Sequence, residues 1–356
     1  MAERSRTDQY GFEWPEDFDF SAYDAYESSY IQVLARRSRK WKSLLGHKEK
    51  VKKNRTVKRY VRKGIPKEFR PLAWMTLSGA QMRMDSQPQL YQHLLTQQPQ
   101  PEVKESIDQD LHRTFPENIY FCDTLDPTGL RQPLCNVLTA FALKNPKIGY
   151  CQGFNFIVGV MLLILRDEQK TFWLLDTLIT QILPDLYSPG MAGLKAEIAV
   201  LAELIRQKEA GIYDNVEREG VPWAVVFTRW FICLFIDVLP IETVLRIWDC
   251  LFYEGVKVLH RVGITLVLRN KEQILHSKGF DGITKDFKAT TTDIRNLECH
   301  QLMQDIFTIP GSFPRAKIQE LREKFLRLRQ NRGMGLLQED NFLCPITQRN
   351  GTPSGG

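Results

Sequence analysis

The stretch of sequence that decides the fold is YCQGFNFIVGVMLLIL, residues 150–165. Its apolar run, Phe156 to Leu165, is far shorter than the roughly 20 residues that a membrane-spanning helix needs. The run therefore indicates a buried helix of a soluble fold. Gly149 and Gly153 flank the three residues before it, and glycine lets a backbone turn sharply and approach another surface. We expect a tight loop that leads into a core helix.

A second informative stretch lies upstream, where Asp110 and Arg113 follow an apolar stripe that recurs every four residues. The stripe consists of Val103, Ile107 and Leu111. On a helical wheel Asp110 falls at the edge of this stripe and Arg113 further out, as i,i+3 neighbours that can pair. Pro116 disfavours helical geometry just before it, so the helix should stop close after the arginine. Taken alone, Arg113 is typical of a solvated surface arginine and Gln152 of a loop hydrogen-bonding residue.

Apolar stripes with helical spacing continue along the chain. They comprise Leu194, Ile198, Leu201 and Ile205; Val244, Ile247, Trp248 and Leu251; and Ile318, Leu321, Phe325 and Leu328. Proline and glycine fall between these blocks, and no stretch alternates with a period of two. The pattern predicts an all-α fold of a dozen or more helices. We also expect the apolar stretch Ala224 to Ile241 to be buried helix.

The net charge of +6 on 356 residues conceals an uneven distribution. Residues 1–35 hold eight acidic and two basic residues, interleaved with aromatic rings. This composition fits an arm that lays its rings into grooves of a neighbouring domain, or a disordered acidic tail. Residues 36–63 hold fourteen basic residues and Glu49 alone among acids, and their spacing predicts two short helices with solvated basic faces.

Several classes of function lack their signatures. The chain has no P-loop, no dinucleotide-binding glycine motif, no hydrolase nucleophile elbow and no zinc-protease motif. Its seven cysteines form no C-x-x-C pair, and the first twenty residues contain no apolar signal region, which favours a reducing, cytoplasmic setting. Cys151 with His112 is a weak pattern for thiol catalysis, so a bystander thiol is favoured. No nucleic-acid motif accompanies the basic segment.

The motifs together resemble a known family. Ile107-x-x-Asp110-x-x-Arg113, the Tyr150-x-Gln152 motif and the opening Arg70-x-x-x-Trp74 are similar to motifs of the TBC domain of Rab GTPase-activating proteins. The resemblance implies many packed helices in two subdomains.

The resemblance also implies functional residues. Arg113 and Gln152 match the arginine and glutamine that enter the nucleotide site of a Rab-family small GTPase in its GTP form. The partner then carries GTP and magnesium, and this chain needs no cofactor or metal of its own. Asp110, Arg70, Trp74 and Tyr150 are expected to support the site. The alternative is a non-catalytic scaffold that binds a Rab without accelerating hydrolysis.

We divide the chain accordingly into five parts: a flexible acidic arm (1–35), a basic helical segment (36–61), the TBC domain (62–258), C-terminal helices packed on it (259–332) and a disordered tail (333–356). The basic residues of 36–63 could also hold the protein at anionic endomembranes, because each is worth about 1 kcal/mol close to such a surface. The competing interpretation is an ordinary solvated helical face.

Overall fold

A computed structural model of the chain describes residues 6–14, 16, 18–46, 50–122, 129–292 and 298–332. Within these ranges the chain is helical, as predicted, and its extended pairing amounts to two isolated β-bridges, Thr7–Glu13 and Phe12–Asn118. The described residues contain no helix that is both long and apolar enough to cross a bilayer. The predicted tail, 333–356, lies outside the described residues.

The α-helices are α1 Phe20–Leu45, α2 Arg55–Lys63, α3 Arg70–Ser78, α4 Ala80–Ser86, α5 Leu90–Leu95, α6 Pro101–Leu111, α7 Arg131–Lys144, α8 Phe154–Leu165, α9 Glu168–Thr177, α10 Ala192–Lys208, α11 Ala210–Arg218, α12 Trp223–Ile232, α13 Ile241–Glu254, α14 Lys257–Arg269, α15 Lys271–His276, α16 Gly279–Thr292, α17 Cys299–Thr308 and α18 Arg315–Arg332. Shorter 3₁₀ or π turns occupy Lys67–Phe69, Leu178–Ile182 and Pro189–Met191.

These helices pack in two groups, in agreement with the two predicted subdomains. In the first group α7 packs on α5, α6, α8 and α9, and α4 packs on α9. In the second group α10 packs on α11, α12, α14 and α18, and α14 packs on α13 and α17. Helix α3 contacts α4, α8 and α9 of the first group and α13 of the second, and so joins the two groups. Helix α8, the predicted core helix, is buried along almost its whole length.

The predicted apolar stripes are buried in α10 and α13 throughout. The stripe of α18 is buried only at its start, because Ile318 and Leu321 face the core whereas Leu328 is 46% exposed. The helix packs on α10 through its first turns. A periodic stripe records which face is apolar, but it does not record how far along the helix a neighbour extends.

The basic segment differs from the prediction of two short helices. The first of them is the C-terminal part of α1, a single 26-residue helix that runs across the change of charge at residue 35. Trp41 and Leu45 are buried, and Gly46, with φ 52°, ends the helix. Helix propensity depends little on the sign of a charged side chain, so a charge boundary does not end a helix. The second predicted helix is α2, with Val57 and Val61 buried.

The apolar stretch Ala224 to Ile241 is buried only in part, since Val225 is 39% exposed, and the prediction of a continuous helix was wrong. Helix α12 ends at Ile232, and Leu234 and Phe235 adopt left-handed backbone angles, with φ of 49° and 68°. The Phe235 N–H donates to the Trp230 carbonyl at 3.0 Å. Non-glycine residues seldom adopt positive φ. The apolar sequence therefore gives no indication that the helix ends in this turn.

Candidate active site

Arg113 lies in the turn that follows α6. Pro101 occupies the first turn of α6, where its missing N–H costs nothing. Ile107 is buried and anchors the helix to α7 and α8. The helix ends at Leu111, two residues before the arginine, whereas Pro116 predicts an end just after it. The side chain of Arg113 is 33% exposed, so part of it is accessible from solvent.

Two contacts fix the turn that carries Arg113. The Thr114 hydroxyl is fully buried and donates to the Asp110 carbonyl at 2.7 Å. Phe115 then adopts a left-handed φ of 48°, whereas a residue before proline ordinarily adopts an extended conformation. A Cβ on Gly159 of α8 would lie 2.8 Å from the Phe115 ring, so the ring fits only because that position is glycine.

Gln152 lies in the loop that enters α8. Gly149 and Gly153 have positive φ, 63° and 108°, as the loop prediction requires. The Gly153 N–H donates to the Asn155 side-chain oxygen at 3.1 Å. A Cβ on Gly153 would approach the Cys233 sulfur to 3.3 Å, so this loop also packs closely on the end of α12.

The two loops bring Arg113 and Gln152 into direct contact. With its amide oxygen turned toward the guanidinium, Gln152 accepts from Nη2 of Arg113 at 2.7 Å and from Nη1 at 3.2 Å. Nη2 also forms an ion pair with Asp110, the predicted i,i+3 neighbour. Asp110 is buried, 4% exposed, and accepts a hydrogen bond from the Tyr150 hydroxyl. Four residues predicted for the site therefore form one connected cluster.

Asn155 is a member of this cluster that the sequence analysis missed. It is fully buried, and its amide nitrogen donates to Thr114 Oγ1 at 2.9 Å while its oxygen receives the Gly153 N–H. It therefore links the Gln152 loop to the Arg113 turn. A signal existed, because a polar residue inside an apolar helix start must find hydrogen-bond partners when it is buried.

The electrostatics of the cluster keep the neighbours of Arg113 in fixed protonation states. Burial, together with the hydrogen bond to Asp110, raises the pKa of Tyr150 well above its usual value. Tyr150 therefore stays a neutral donor. Burial, reinforced by the Asp110 charge, raises the pKa of Cys151 to about 12. A thiol with this pKa is protonated near neutrality, which argues against Cys151 as a nucleophile.

Arg70 and Trp74 belong to a second buried network. Both converge on Asp249, which accepts from Trp74 Nε1 at 2.8 Å and from Arg70 Nε at 3.3 Å. Arg70 also donates to Glu242 at 2.9 Å and to the Tyr10 hydroxyl at 2.9 Å. Burial opposes the charge of Arg70, but the nearby Glu242 and Asp249 raise its pKa well above the usual value. The network joins α3 to α13.

The described residues hold no group of three or more histidine, cysteine, aspartate or glutamate side chains placed to bind a metal ion. The cluster around Arg113 offers a guanidinium that is paired with a buried carboxylate and lies beside a neutral amide. These groups suit the recognition of an anionic group supplied from outside.

Comparison with known proteins identifies the domain. A family model described as the Rab-GTPase-TBC domain matches residues 67–275. The growth hormone-regulated TBC protein 1 of Homo sapiens is 50% identical over 325 residues, covering 90% of this chain and 96% of that protein. The chain belongs to the Rab-GTPase-TBC domain family. Growth hormone-regulated TBC protein 1-A of Danio rerio is 49% identical over 316 residues, covering 89% of this chain and 88% of the relative.

Solved structures of TBC domains agree with this fold. The Chlamydomonas flagellar RabGAP TBC domain superposes with a TM-score of 0.70 at 30% identity, covering 84% of this chain and 99% of that one. The Ypt/Rab-GAP domain of Gyp1p superposes with a TM-score of 0.63 at 21% identity, covering 78% and 98%. The fold is thus that of the TBC domain of Rab GTPase-activating proteins, as the resemblance implied.

Proposed function

We propose that this protein stimulates GTP hydrolysis by a Rab-family small GTPase in its GTP form. It has the role of a GTPase activator, with the nucleotide and magnesium carried by the partner. Arg113 would neutralise charge on the phosphoryl oxygens, and Gln152 would orient the attacking water. The observation that carries the proposal is the direct contact between the Gln152 amide and the Arg113 guanidinium on a partly exposed surface.

The residue types fit the demands of the reaction. Phosphoryl transfer spreads negative charge over several oxygens, and catalysis consists mainly of positioning and electrostatic stabilisation. A planar guanidinium is always charged and offers several donors in a fixed geometry, which a lysine does not. Orienting a water molecule needs a neutral group that both donates and accepts, as the amide of Gln152 does.

Asp110 and Tyr150 would position the arginine. Asp110 is almost fully buried and is fixed by Tyr150 from one side, while it pairs with Arg113 on the other. A guanidinium held in this way is partly ordered before the partner binds. Preorganised charge avoids reorganisation during the reaction, which is the main source of its catalytic effect.

Single-turnover GTP hydrolysis across a panel of purified Rab proteins tests the proposal. Wild-type protein should accelerate at least one Rab, and Arg113→Ala should remove about 10³–10⁵-fold of that acceleration, corresponding to roughly 4–7 kcal/mol of barrier. Gln152→Ala should also lose most of the stimulated rate. Arg206→Ala is the matched control, because Arg206 is an exposed arginine with an i,i+3 carboxylate partner, Glu203.

The same experiment distinguishes the proposed function from the alternative, a non-catalytic Rab-binding scaffold. A scaffold would bind a GTP-loaded Rab in a pull-down or by calorimetry, yet leave its hydrolysis rate unchanged. Arg113→Ala would then change neither hydrolysis nor, in any large measure, binding. Acceleration that depends on Arg113 and Gln152 would exclude the scaffold interpretation.

We further propose that the basic segment 36–63 contacts anionic endomembranes, which would place the protein in the cytoplasm and in vesicle trafficking. Exposed residues of α1 such as Arg36, Arg39, Lys40 and Lys42 are available for this role. By contrast, Arg62 of α2 is already paired with Glu254. Co-sedimentation with liposomes should increase with anionic lipid content and fall with salt. Equal binding to neutral liposomes would contradict the electrostatic contact.

A further inference from the structure

The segment 6–14, which we call the N-terminal strap, is built to dock on the domain. Asp8 accepts the backbone N–H groups of Tyr10 at 2.7 Å and Phe12 at 3.0 Å, which folds the strap into a compact turn. The Tyr10 side chain is 3% exposed. Its hydroxyl donates to Glu242 at 2.6 Å and accepts from Arg70. The middle of the strap is thus fixed to the network that joins α3 and α13.

The other side of the strap pairs with the segment that follows Arg113. The Gly11 carbonyl accepts the Ile119 N–H at 3.0 Å, and the Tyr10 carbonyl accepts from the buried Asn118 amide at 3.1 Å. Phe12 and Asn118 form an antiparallel bridge. Residues 118 and 119 therefore bond to a piece of chain that lies more than a hundred residues away in sequence.

Phe12 also packs against the aromatic cluster around Phe115. The two rings meet edge to face with their centroids 5.2 Å apart. Phe121 and Phe156 contact the same Phe115 ring at 5.7 and 5.4 Å, and Gly159 leaves the space beneath it. Edge-to-face ring pairs are favourable beyond their buried area. Phe115 is the left-handed residue of the turn that carries Arg113, so the strap packs directly against that turn.

We propose that the N-terminal strap is a positioning element for Arg113, with Phe12 its principal contact, so that strap docking sets the rate of the stimulated reaction. This inference rests on the proposed function. A guanidinium displaced by about 1 Å can cost around 10²-fold in rate, and Phe115 and Asn118 are the groups through which the strap would control that displacement. A strap that merely covered apolar surface would change stability and leave the rate at saturation intact.

The test uses the full chain with Phe12→Ala, and with Phe12→Leu as the conservative variant. Stimulated hydrolysis is measured over a range of Rab concentrations, which separates kcat from KM. Phe12→Ala should lower kcat by about 10- to 100-fold and change KM little, because the strap shapes the arginine turn. Phe12→Leu should restore most of the rate. Trp14→Ala is the control, since its ring packs on Phe18 at 4.4 Å.

A second variant and a second measurement keep the outcomes distinct. Gly11 has φ 89°, and a Cβ there would lie 2.7 Å from the Tyr120 ring, so Gly11→Ala should undock the strap without removing an aromatic group. Amide hydrogen exchange of Thr114 and Ile119 should accelerate in Gly11→Ala and in Phe12→Ala. Unchanged exchange, or a kcat within about twofold of wild type despite faster exchange, would overturn the positioning role.

These outcomes are separable from failure of the proposed function. If wild-type protein accelerates no Rab, the proposed function fails, while hydrogen exchange still shows whether the strap orders the Arg113 turn. If wild-type protein is active and both strap variants keep its kcat, the proposed function stands and the inference about the strap is wrong.

Discussion

Tyr150 donates its hydroxyl hydrogen to the buried carboxylate of Asp110, a residue forty positions earlier in the chain. This bond joins the two motifs on which the site depends, because Asp110 holds Arg113 and Tyr150 lies two residues from Gln152. A carboxylate that is buried needs such donors, since its charge is otherwise costly. The hydroxyl of Tyr150 is therefore a structural requirement of the site.

Tyr150→Phe should both destabilise the protein and slow stimulated hydrolysis. A hydrogen bond to a charged group contributes about 1.5–3 kcal/mol, so urea unfolding should show a loss in that range. The rate should fall because Asp110 loses the group that orients it toward Arg113. Tyr213→Phe, on the opposite group of helices, is the control and should preserve the rate. A Tyr150→Phe variant with wild-type stability and rate would show that the bond is dispensable.

Arg113→Lys should be nearly as inactive as Arg113→Ala. A lysine keeps the positive charge, but it offers a single ammonium where the guanidinium spans both Asp110 and Gln152. We expect its stimulated rate to lie within about tenfold of the alanine variant, against a loss of about 10³–10⁵-fold from wild type. Single-turnover hydrolysis measures this directly. Retention of more than half the wild-type rate would indicate that charge alone suffices.

Much of the helical framework was predictable, because apolar stripes report which face of a helix is buried. The neighbouring placement of Asp110 and Arg113 was predictable too, since i,i+3 residues remain close even where the helix gives way to a turn. The contact between Arg113 and Gln152 came from the family resemblance. Periodicity describes single helices and contains no information about which loops meet.

Other features could not be read from one sequence for identifiable reasons. An arm that lays its rings on the domain was one of two alternatives for residues 1–35, and the sequence could not decide between them. Docking of the N-terminal strap depends on Arg70, Glu242 and Asn118, which come together only in the folded chain. The end of α12 depends on left-handed residues in an apolar run. The continuity of α1 was obscured by a change of charge that has little influence on helix formation.

Stability should decline as the pH falls from about 6.5, in part because of His300. Burial, with the neighbouring Arg246 and Arg37 charges, lowers the pKa of His300 from 6.5 to about 3. Between pH 6.5 and about pH 3, His300 is therefore protonated in the unfolded chain but neutral in the folded chain. The free energy of unfolding consequently falls as the pH is lowered through this window. His300 Nδ1 lies 3.1 Å from an Arg246 nitrogen, as suits a neutral acceptor.

Urea unfolding midpoints of wild type and His300→Gln between pH 7 and pH 5 test this prediction. Glutamine keeps an acceptor for Arg246 but does not titrate, so the variant should lose less stability over the interval. Parallel curves between pH 7 and pH 5 would contradict a neutral, half-buried His300.

Arg70→Leu should be among the most destabilising single changes in the chain. It leaves Asp249 buried without its cationic partner, and removing one member of a buried ion pair costs about 3–5 kcal/mol. Equilibrium urea unfolding measures the loss. Adding Asp249→Asn should recover part of it, because the uncompensated charge is removed as well. A cost below about 1 kcal/mol would place the pair among weak surface contacts.

Gly153→Ala should damage both stability and activity, because this glycine sets the path of the loop that carries Gln152. Its φ of 108° is unfavourable for any residue with a Cβ, and the added atom would lie 3.3 Å from the Cys233 sulfur and 3.4 Å from the Ile232 carbonyl oxygen. We expect a destabilisation of about 1–3 kcal/mol and a fall in the stimulated rate as the amide moves away from Arg113.

Gly220→Ala is the matched control for this change. Gly220 also has a left-handed φ, 69°, but a Cβ there would meet nothing within 4 Å. Both variants therefore carry the backbone cost of about 1–2 kcal/mol, and only Gly153→Ala adds a tight contact at the loop. The rate of Gly220→Ala should match wild type. If Gly153→Ala also hydrolyses at the wild-type rate while losing stability, the path of the loop does not control the placement of Gln152.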